Sequence, residues 1–459
     1  MIHRYQKKGL NFVLDVNSGA VHLLDDISYA VSGLLDENME DTCPQSIVEA
    51  LPQYTAEDVR EAYGELYELK KAGQLFAQDD YIDVSRYIPV NAPVKALCLH
   101  VAHDCNLRCK YCFASTGDFG QGRKIMPPEI AKKAIDFVIA RSGVRHNIEV
   151  DFFGGEPLMA WDTVTQTVDY ARSLEEKHNK KFRFTITTNG LLLDADKRKY
   201  INENMDNCVL SLDGRREVND EFRKTVAGTG SYDTIVPKFK ALVDERDPNL
   251  DYYARGTFTS HNLDFAEDVL SIADAGFDRL SVEPVTADPG CGYDLTEADL
   301  PKIEAEYDRL TDIMLERKKE GKPFTFFHFM VDLDQGPCVV KRLRGCGAGY
   351  EYVAVTPDGD IYPCHQFVGK EEFKQGSVLD QSFNMDIAQK FAGMNIYSRP
   401  KCQKCWAKFY CSGGCSAANY NMNHDMNDSY DLGCEMERKR LECAIYLKAV
   451  DKICANQSK

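Results

Sequence analysis

Three cysteines in the run Cys105-Asn106-Leu107-Arg108-Cys109-Lys110-Tyr111-Cys112, directly after the apolar residues 97–101, constrain this chain more than any other stretch. Thiolates are the protein ligands of iron–sulfur clusters, most often four to a cluster. Three on one tight C-x3-C-x2-C loop can hold three irons of a [4Fe–4S] cube and leave the fourth open. An open metal position is where a substrate or cofactor can bind and react, the logic that separates catalytic from structural zinc. Structural zinc pairs its cysteines as C-x2-C units, which this spacing does not follow. The remaining alternative is a loop of three free thiols.

The other cysteines support metal chemistry. The chain has 17, and its N-terminus lacks the apolar stretch of a secretory signal, so ligands are expected rather than disulfides. Eight of them fall from Cys338 to Cys434, a second concentration. Cys43, Cys98, Cys208, Cys291, Cys443 and Cys454 are scattered and read as small apolar residues. A net charge of −17 argues against a nucleic-acid backbone as partner. No apolar run approaches the ~20 residues that span a bilayer. A cytoplasmic location, with no membrane and no nucleic acid, is the expectation.

Residues 1–80 read as a small separate domain. Strand-like 10–16 and 20–24 flank the turn Asn17-Ser18-Gly19, and helical spacing follows through Ile27, Val31, Leu34 and Leu35. Ile47 and Leu51 mark a short helix. A third helix starts at Thr55, placed to cap it with Asp58 at the third position. A short strand at 74–77 is expected after Gly73. Residues 81–94 read as a linker. Over 95–295, strands at 95–101, 148–153, 182–188, 208–212, 252–258 and 279–283 alternate with helices such as 128–142, 162–178 and 263–275. Such β-α alternation predicts a parallel α/β sheet covered by helices, with ligands at the carboxyl ends of strands. A charged helix in the bridging region 296–337 leads to a last unit, 338–459.

The cysteine loop sits just after the first of these strands. Gly154-Gly155-Glu156-Pro157 follows the second, Thr187-Thr188-Asn189-Gly190 the third, and Ser211-Leu212-Asp213-Gly214 the fourth. In this order the motifs resemble the radical S-adenosylmethionine (radical SAM) enzymes. The resemblance implies a partial (β/α)6 barrel whose open iron is chelated by SAM, with electron transfer releasing a 5′-deoxyadenosyl radical. It implies SAM contacts from Gly154, Gly155, Glu156 and Pro157, which meet its amino group, and from Thr188, Asn189, Ser211 and Asp213. Arg255 is added as a partner for the carboxylate and Phe113 as packing for adenine. Asn-Gly and Asp-Gly are also ordinary turn pairs.

Cys346, Gly359 and Cys364, then Cys402, Cys405, Cys411, Cys415 and Cys434, resemble the seven-cysteine SPASM extension of radical SAM peptide-modifying enzymes. The family pattern gives Cys402, Cys405, Cys411 and Cys434 to one auxiliary [4Fe–4S] cluster. Cys346, Cys364 and Cys415 go to a second, with Cys338 the candidate fourth ligand, and the three clusters make the cofactor set together with SAM. Paired four-cysteine zinc sites are the alternative from the residues alone.

Residues 1–80 resemble the winged-helix peptide-recognition domain fused to peptide-modifying enzymes, in which a leader peptide adds as a strand to the sheet edge. The run Asn11 to His22 resembles the maturases of SCIFF peptides, a type of thioether-forming sactipeptide synthase. That resemblance implies a ribosomally made cysteine-rich precursor in which a cysteine sulfur is joined to an α-carbon, threonine's in that family. An external donor such as ferredoxin or flavodoxin would supply electrons. Anaerobic sulfatase-maturing enzymes, which make formylglycine, share the core. They carry an acidic residue immediately after the cysteine matching Cys364. Here that place is His365, the candidate proton shuttle. A non-catalytic iron–sulfur sensor would call for a basic recognition helix, whereas the third helix is acidic at Glu57, Asp58, Glu61, Glu65 and Glu68.

Overall fold

The computed structural model describes residues 1–87, 92–334 and 339–457. The front domain opens with an antiparallel sheet of β1 (Ile2–Lys7), β2 (Leu10–Asp15) and β3 (Val21–Leu24), with β3 at an edge. Then come α1 (Asp26–Ser32), α2 (Gln45–Ala50) and α3 (Ala56–Lys71). The α3 cap is as expected, since the Asp58 amide donates to the Thr55 hydroxyl at 3.2 Å. The sequence reading missed β1 and is corrected at 74–77, where no strand forms. Phe76 adopts a left-handed backbone with φ 51°. Side chains take the backbone groups a strand would use: Asn17 donates to the Ala77 carbonyl at 2.8 Å, and the Ala77 amide donates to Asp15 at 3.2 Å.

The expected linker contains a helix, α4 (Tyr81–Tyr87), just after a buried tie to the last unit. Asp79 accepts from Lys408 at 2.7 Å and from the Tyr397 hydroxyl at 2.5 Å.

The middle of the chain forms six parallel strands in sequential order. They are β4 (Ala96–His103), β6 (Asn147–Gly154), β7 (Lys181–Thr188), β8 (Asn207–Ser211), β9 (Asp251–Phe258) and β10 (Arg279–Pro284). A two-residue β5 (Lys124–Ile125) pairs antiparallel with β4. The helices α5 (Pro128–Arg141), α6 (Trp161–His178), α7 (Ala195–Asn204), α8 (Arg216–Phe222), α9 (Tyr232–Asp244) and α10 (Phe265–Asp274) lie between strands. β4 is buried along its whole length, as a parallel strand covered on both faces must be. The alternating pattern of β7, with Phe182, Phe184 and Ile186 fully buried, marks the face turned to the helices.

Segments outside these units extend the sheet at both ends. After α11 (Leu300–Lys319), β11 (Thr325–Phe326) pairs parallel with β10. After α12 (Val339–Arg344), β12 (Tyr352–Val355) pairs parallel with β4. β13 (Asp360–Tyr362) turns back on β12 through Gly359, the expected hairpin, and β14 (Gly376–Ser377) completes that edge. The chain ends with α13 (Met385–Gly393), α14 (Pro400–Gln403), α15 (Lys408–Cys411), α16 (Ser416–Asn423) and the long α17 (Asp431–Gln457). Leu432, Met436, Cys443 and Ala444 of α17 join the central core. Its Ile445, Tyr446 and Ala449 pack on Tyr5, Phe12 and Leu14 of the front domain. No helix among the described residues is long and apolar enough to cross a membrane.

Candidate active site

The cysteine loop leaves the carboxyl end of β4 and is held against the ends of β6 and β7 by close backbone approach. A Cβ on Gly155 would lie 2.1 Å from the Asp104 carbonyl oxygen, and one on Gly154, at φ +127°, 2.2 Å from that of Ala102. Only glycine fits either place. The Gly155 amide donates to the Ala102 carbonyl at 2.7 Å, and the Glu156 amide to the Asp104 carbonyl at 2.9 Å. Gly117 closes the far side, where a Cβ would meet the Cys105 Cβ at 2.7 Å.

Glu156 is buried and faces this cradle. Its carboxylate accepts from the Thr188 hydroxyl at 2.7 Å, from the Asn189 amide at 2.8 Å and from the Leu158 amide at 3.0 Å. Burial nevertheless pushes it up to about 7. Asn189 reaches back to the loop, with its Nδ2 donating to Asn106 at 2.8 Å and to the Cys105 sulfur at 3.5 Å. Ser211 ends β8 directly opposite Arg255 of β9. The Arg255 guanidinium is bound to Glu283 at the end of β10. Phe113 is 50% exposed, with its ring centroid 5.4 Å from that of His365 and 6.5 Å from that of Phe153. His365 Nδ1 lies 3.5 Å from the Tyr352 hydroxyl, and burial holds its imidazole down at about 4. Asp213 differs from the SAM contact expected of it. It is fully buried beneath the loop, and its carboxylate accepts from Tyr111, Arg223 and the Thr257 amide.

The last unit gathers its cysteines in two sets. Cys402, Cys405, Cys411 and Cys434 lie near enough that their charges act on one another, and so do Cys346, Cys364 and Cys415. Cys338 lies outside the described residues. Burial is the main influence on these thiols, pushing Cys364 up to about 12 and Cys434 to about 11. Cys105 and Cys109 stand at about 12 for the same reason. Such thiols keep their protons until a metal displaces them. Between the two sets sits Arg399, 3% exposed, felt by Cys402, Cys411, Cys415 and Cys346. Its Nε is buried with no partner. That orphan donor among thiols fits an anionic iron–sulfur body. Among the described residues no three His, Cys, Asp or Glu side chains close around a single metal ion.

The sequence reading missed Tyr111, Arg223, Asn106 and Arg399, and also a link from α17 to the barrel mouth. Arg440 Nη1 donates to His328 Nδ1 at 3.3 Å. A guanidinium only donates, so Nε2 carries the proton, 3.1 Å from the Ser281 hydroxyl.

Comparison with known proteins agrees with this geometry. Residues 99–251 match the radical SAM superfamily, and residues 346–406 match SPASM, an iron–sulfur cluster-binding domain. The chain therefore carries a radical SAM region. More narrowly, that region is followed by a SPASM region, and the two support SAM and iron–sulfur clusters as cofactors. A cysteine-type anaerobic sulfatase-maturating enzyme of Clostridium novyi (strain NT) is 24% identical over 72% of this chain and 90% of its own. The structure of native anSMEcpe with bound AdoMet (SAM) superposes with TM-score 0.65 at 20% identity, covering 80% of this chain and 100% of that one. Streptococcus suis SuiB bound to S-adenosylmethionine gives TM-score 0.53 at 17% identity over 94% of this chain and 98% of that one. Coverage that wide includes most of the front domain.

Proposed function

We propose that this protein is a peptide maturase that joins a cysteine sulfur to the α-carbon of another residue, threonine by the family resemblance, in a ribosomally made cysteine-rich precursor. The observation that carries the reading is the contact of the His365 ring with Phe113 at the end of the cysteine loop, because His365 directly follows Cys364, which lies close to Cys346 and Cys415. This contact supports a reading in which the radical-generating site and a thiol-rich site work on one substrate. Cys105, Cys109 and Cys112 would hold a cluster at which SAM, when bound, would supply a 5′-deoxyadenosyl radical.

The chain's own residues prepare that site. Glu156 offers a buried carboxylate to an ammonium group, and Gly154 and Gly155 let the cysteine loop close against β6 beside it. Thr188 and Asn189 hold Glu156 and the loop in fixed relation, while Ser211 and Arg255 face the mouth. Phe113 and Phe153 pack against His365. His365, neutral at its depressed pKa, is the group placed to take a proton from a substrate thiol. Cys402, Cys405, Cys411 and Cys434 would hold one auxiliary cluster. Cys346, Cys364 and Cys415 would hold the other, completed by Cys338 or a substrate thiolate, for three [4Fe–4S] clusters in all. A thiolate at that open position would be held for attack.

The open edge of β3 is the place for a leader peptide to add as a strand. SuiB, a protein whose fold extends over the same front domain, has been crystallised bound to its precursor peptide SuiA. An external ferredoxin or flavodoxin would supply electrons.

Formylglycine formation is the second reading, favoured by the sulfatase-maturating relative. His365 in place of an acidic residue weighs against it. Anaerobic reconstitution with SAM, a reductant and the cysteine-rich precursor encoded beside the gene tests the choice. A peptide lighter by two hydrogens, with fragmentation that places a bridge between cysteine and a second residue, supports the maturase. Formylglycine at a cysteine would overturn it.

A further inference from the structure

The cysteine loop is tied from below by residues that the reaction itself does not require. The Arg108 amide donates to the Lys224 carbonyl at 2.7 Å and the Lys110 amide to the Phe222 carbonyl at 3.1 Å. Leu107 and Thr225 form an antiparallel bridge. The loop is thus zipped onto the segment after α8. That segment is closed by Ser231, whose hydroxyl donates to the Arg223 carbonyl at 2.8 Å and whose amide donates to Asp220 at 2.8 Å. Side chains complete the tie. The Tyr111 hydroxyl donates to Asp213 Oδ2 at 2.6 Å, and Arg223 Nη2 donates to Asp213 Oδ1 at 2.9 Å. The guanidinium stands 5.5 Å over the Tyr111 ring. Asp213 is completely buried and Arg223 9% exposed.

We propose that Tyr111, Asp213 and Arg223 form a clasp that fixes the cysteine loop and sets the reduction potential of the cluster it carries. The inference rests on the reading of Cys105, Cys109 and Cys112 as cluster ligands. All three are positioning residues and none touches substrate. Tyr111 lies between Cys109 and Cys112, so its bond to Asp213, and through Asp213 to Arg223, brings both buried charges up against the cysteine loop. Reduction adds a negative charge to the cluster, so a nearby cation favours it and a nearby anion opposes it. The pair together is nearly neutral, and removing either member unmasks the other.

The test is spectroelectrochemistry on the full-length reconstituted protein, following the EPR signal that changes when SAM is added. Asp213→Asn unmasks Arg223 and raises the midpoint potential. Arg223→Gln leaves the Asp213 carboxylate without its cation and lowers the potential. The double variant returns towards the parent value. A merely structural role predicts no such reversal of sign. Because a broken buried ion pair can impair folding, Tyr111→Phe is measured as well, in the metal-free chain. Hydrogen exchange at Arg108 and Lys110 rises about tenfold there, the loss of one bond to a carboxylate. Shifts of one sign in both charge variants, or exchange unchanged in Tyr111→Phe, overturn the clasp. If the SAM-responsive signal survives replacement of Cys105, Cys109 and Cys112 by alanine, the assignment of the loop fails first.

Discussion

Replacing Gly155 with alanine should remove the radical-generating site while sparing the barrel. The added Cβ lies 2.1 Å from the Asp104 carbonyl oxygen, 2.5 Å from its carbon and 2.9 Å from the Gly117 oxygen. Ordinary contact begins near 3.4 Å, so something must move by roughly 1.3 Å, more than the side-chain repacking that accommodates most overfilled sites. All three neighbours are backbone, so no flexible side-chain end can yield. Overpacking costs about 1–3 kcal/mol, and backbone neighbours place this site at the upper end. Displacing the loop also gives up the Gly155–Ala102 and Glu156–Asp104 hydrogen bonds, about 1 kcal/mol each. A local penalty of about 5 kcal/mol is met most cheaply by moving the loop. The assay is iron content and EPR after reconstitution, with circular dichroism to confirm the fold. Iron should fall by about one third, one of the three clusters proposed above, and SAM should no longer alter the spectrum. Full iron with an unchanged SAM response in Gly155→Ala would refute the cradle argument.

Other changes separate the remaining claims. Gly64 lies inside α3, and a Cβ there meets nothing within 4 Å. Gly64→Ala should therefore stabilise the front domain by about 0.5–1 kcal/mol, read from urea midpoints. Burial raises Asp151 to about 7 from 3.8. Between those values the folded form holds a proton that the unfolded chain has released, so this group costs stability as pH rises through that window. Asp151→Asn should flatten the stability of the metal-free chain over that range, and an unchanged slope would contradict the assignment. Arg399→Gln removes charged hydrogen bonds to Gly413 and Ser416, about 1.5–3 kcal/mol each. Auxiliary iron should fall while the SAM-responsive signal stays.

The barrel was legible because its strands are short segments with apolar residues at the core positions, and β7 and β8 are closed by Asn-Gly and Asp-Gly pairs, so local pattern and tertiary role agree. The strands that extend it were not. β11 has two residues and no pattern of its own, and its place is set by pairing with β10. The strand expected at 74–77 fails because Asp15 and Asn17 take its backbone groups, contacts more than fifty residues away. Candidate cluster ligands could be read because thiol chemistry needs fixed spacing. Asp213 reads locally as a turn residue before Gly214. Its partners Tyr111 and Arg223 lie 102 and 10 residues distant, and only the fold brings them together.

The central claim is tested most directly by a precursor peptide carrying deuterium at the α-carbon of the acceptor threonine, turned over with the reconstituted protein and SAM. The account predicts deuterium in 5′-deoxyadenosine and a bridged peptide that has lost the label. Label retained in the peptide, with transfer instead from a cysteine deuterated at its β-carbon, would contradict α-carbon crosslinking and establish the formylglycine reaction in its place.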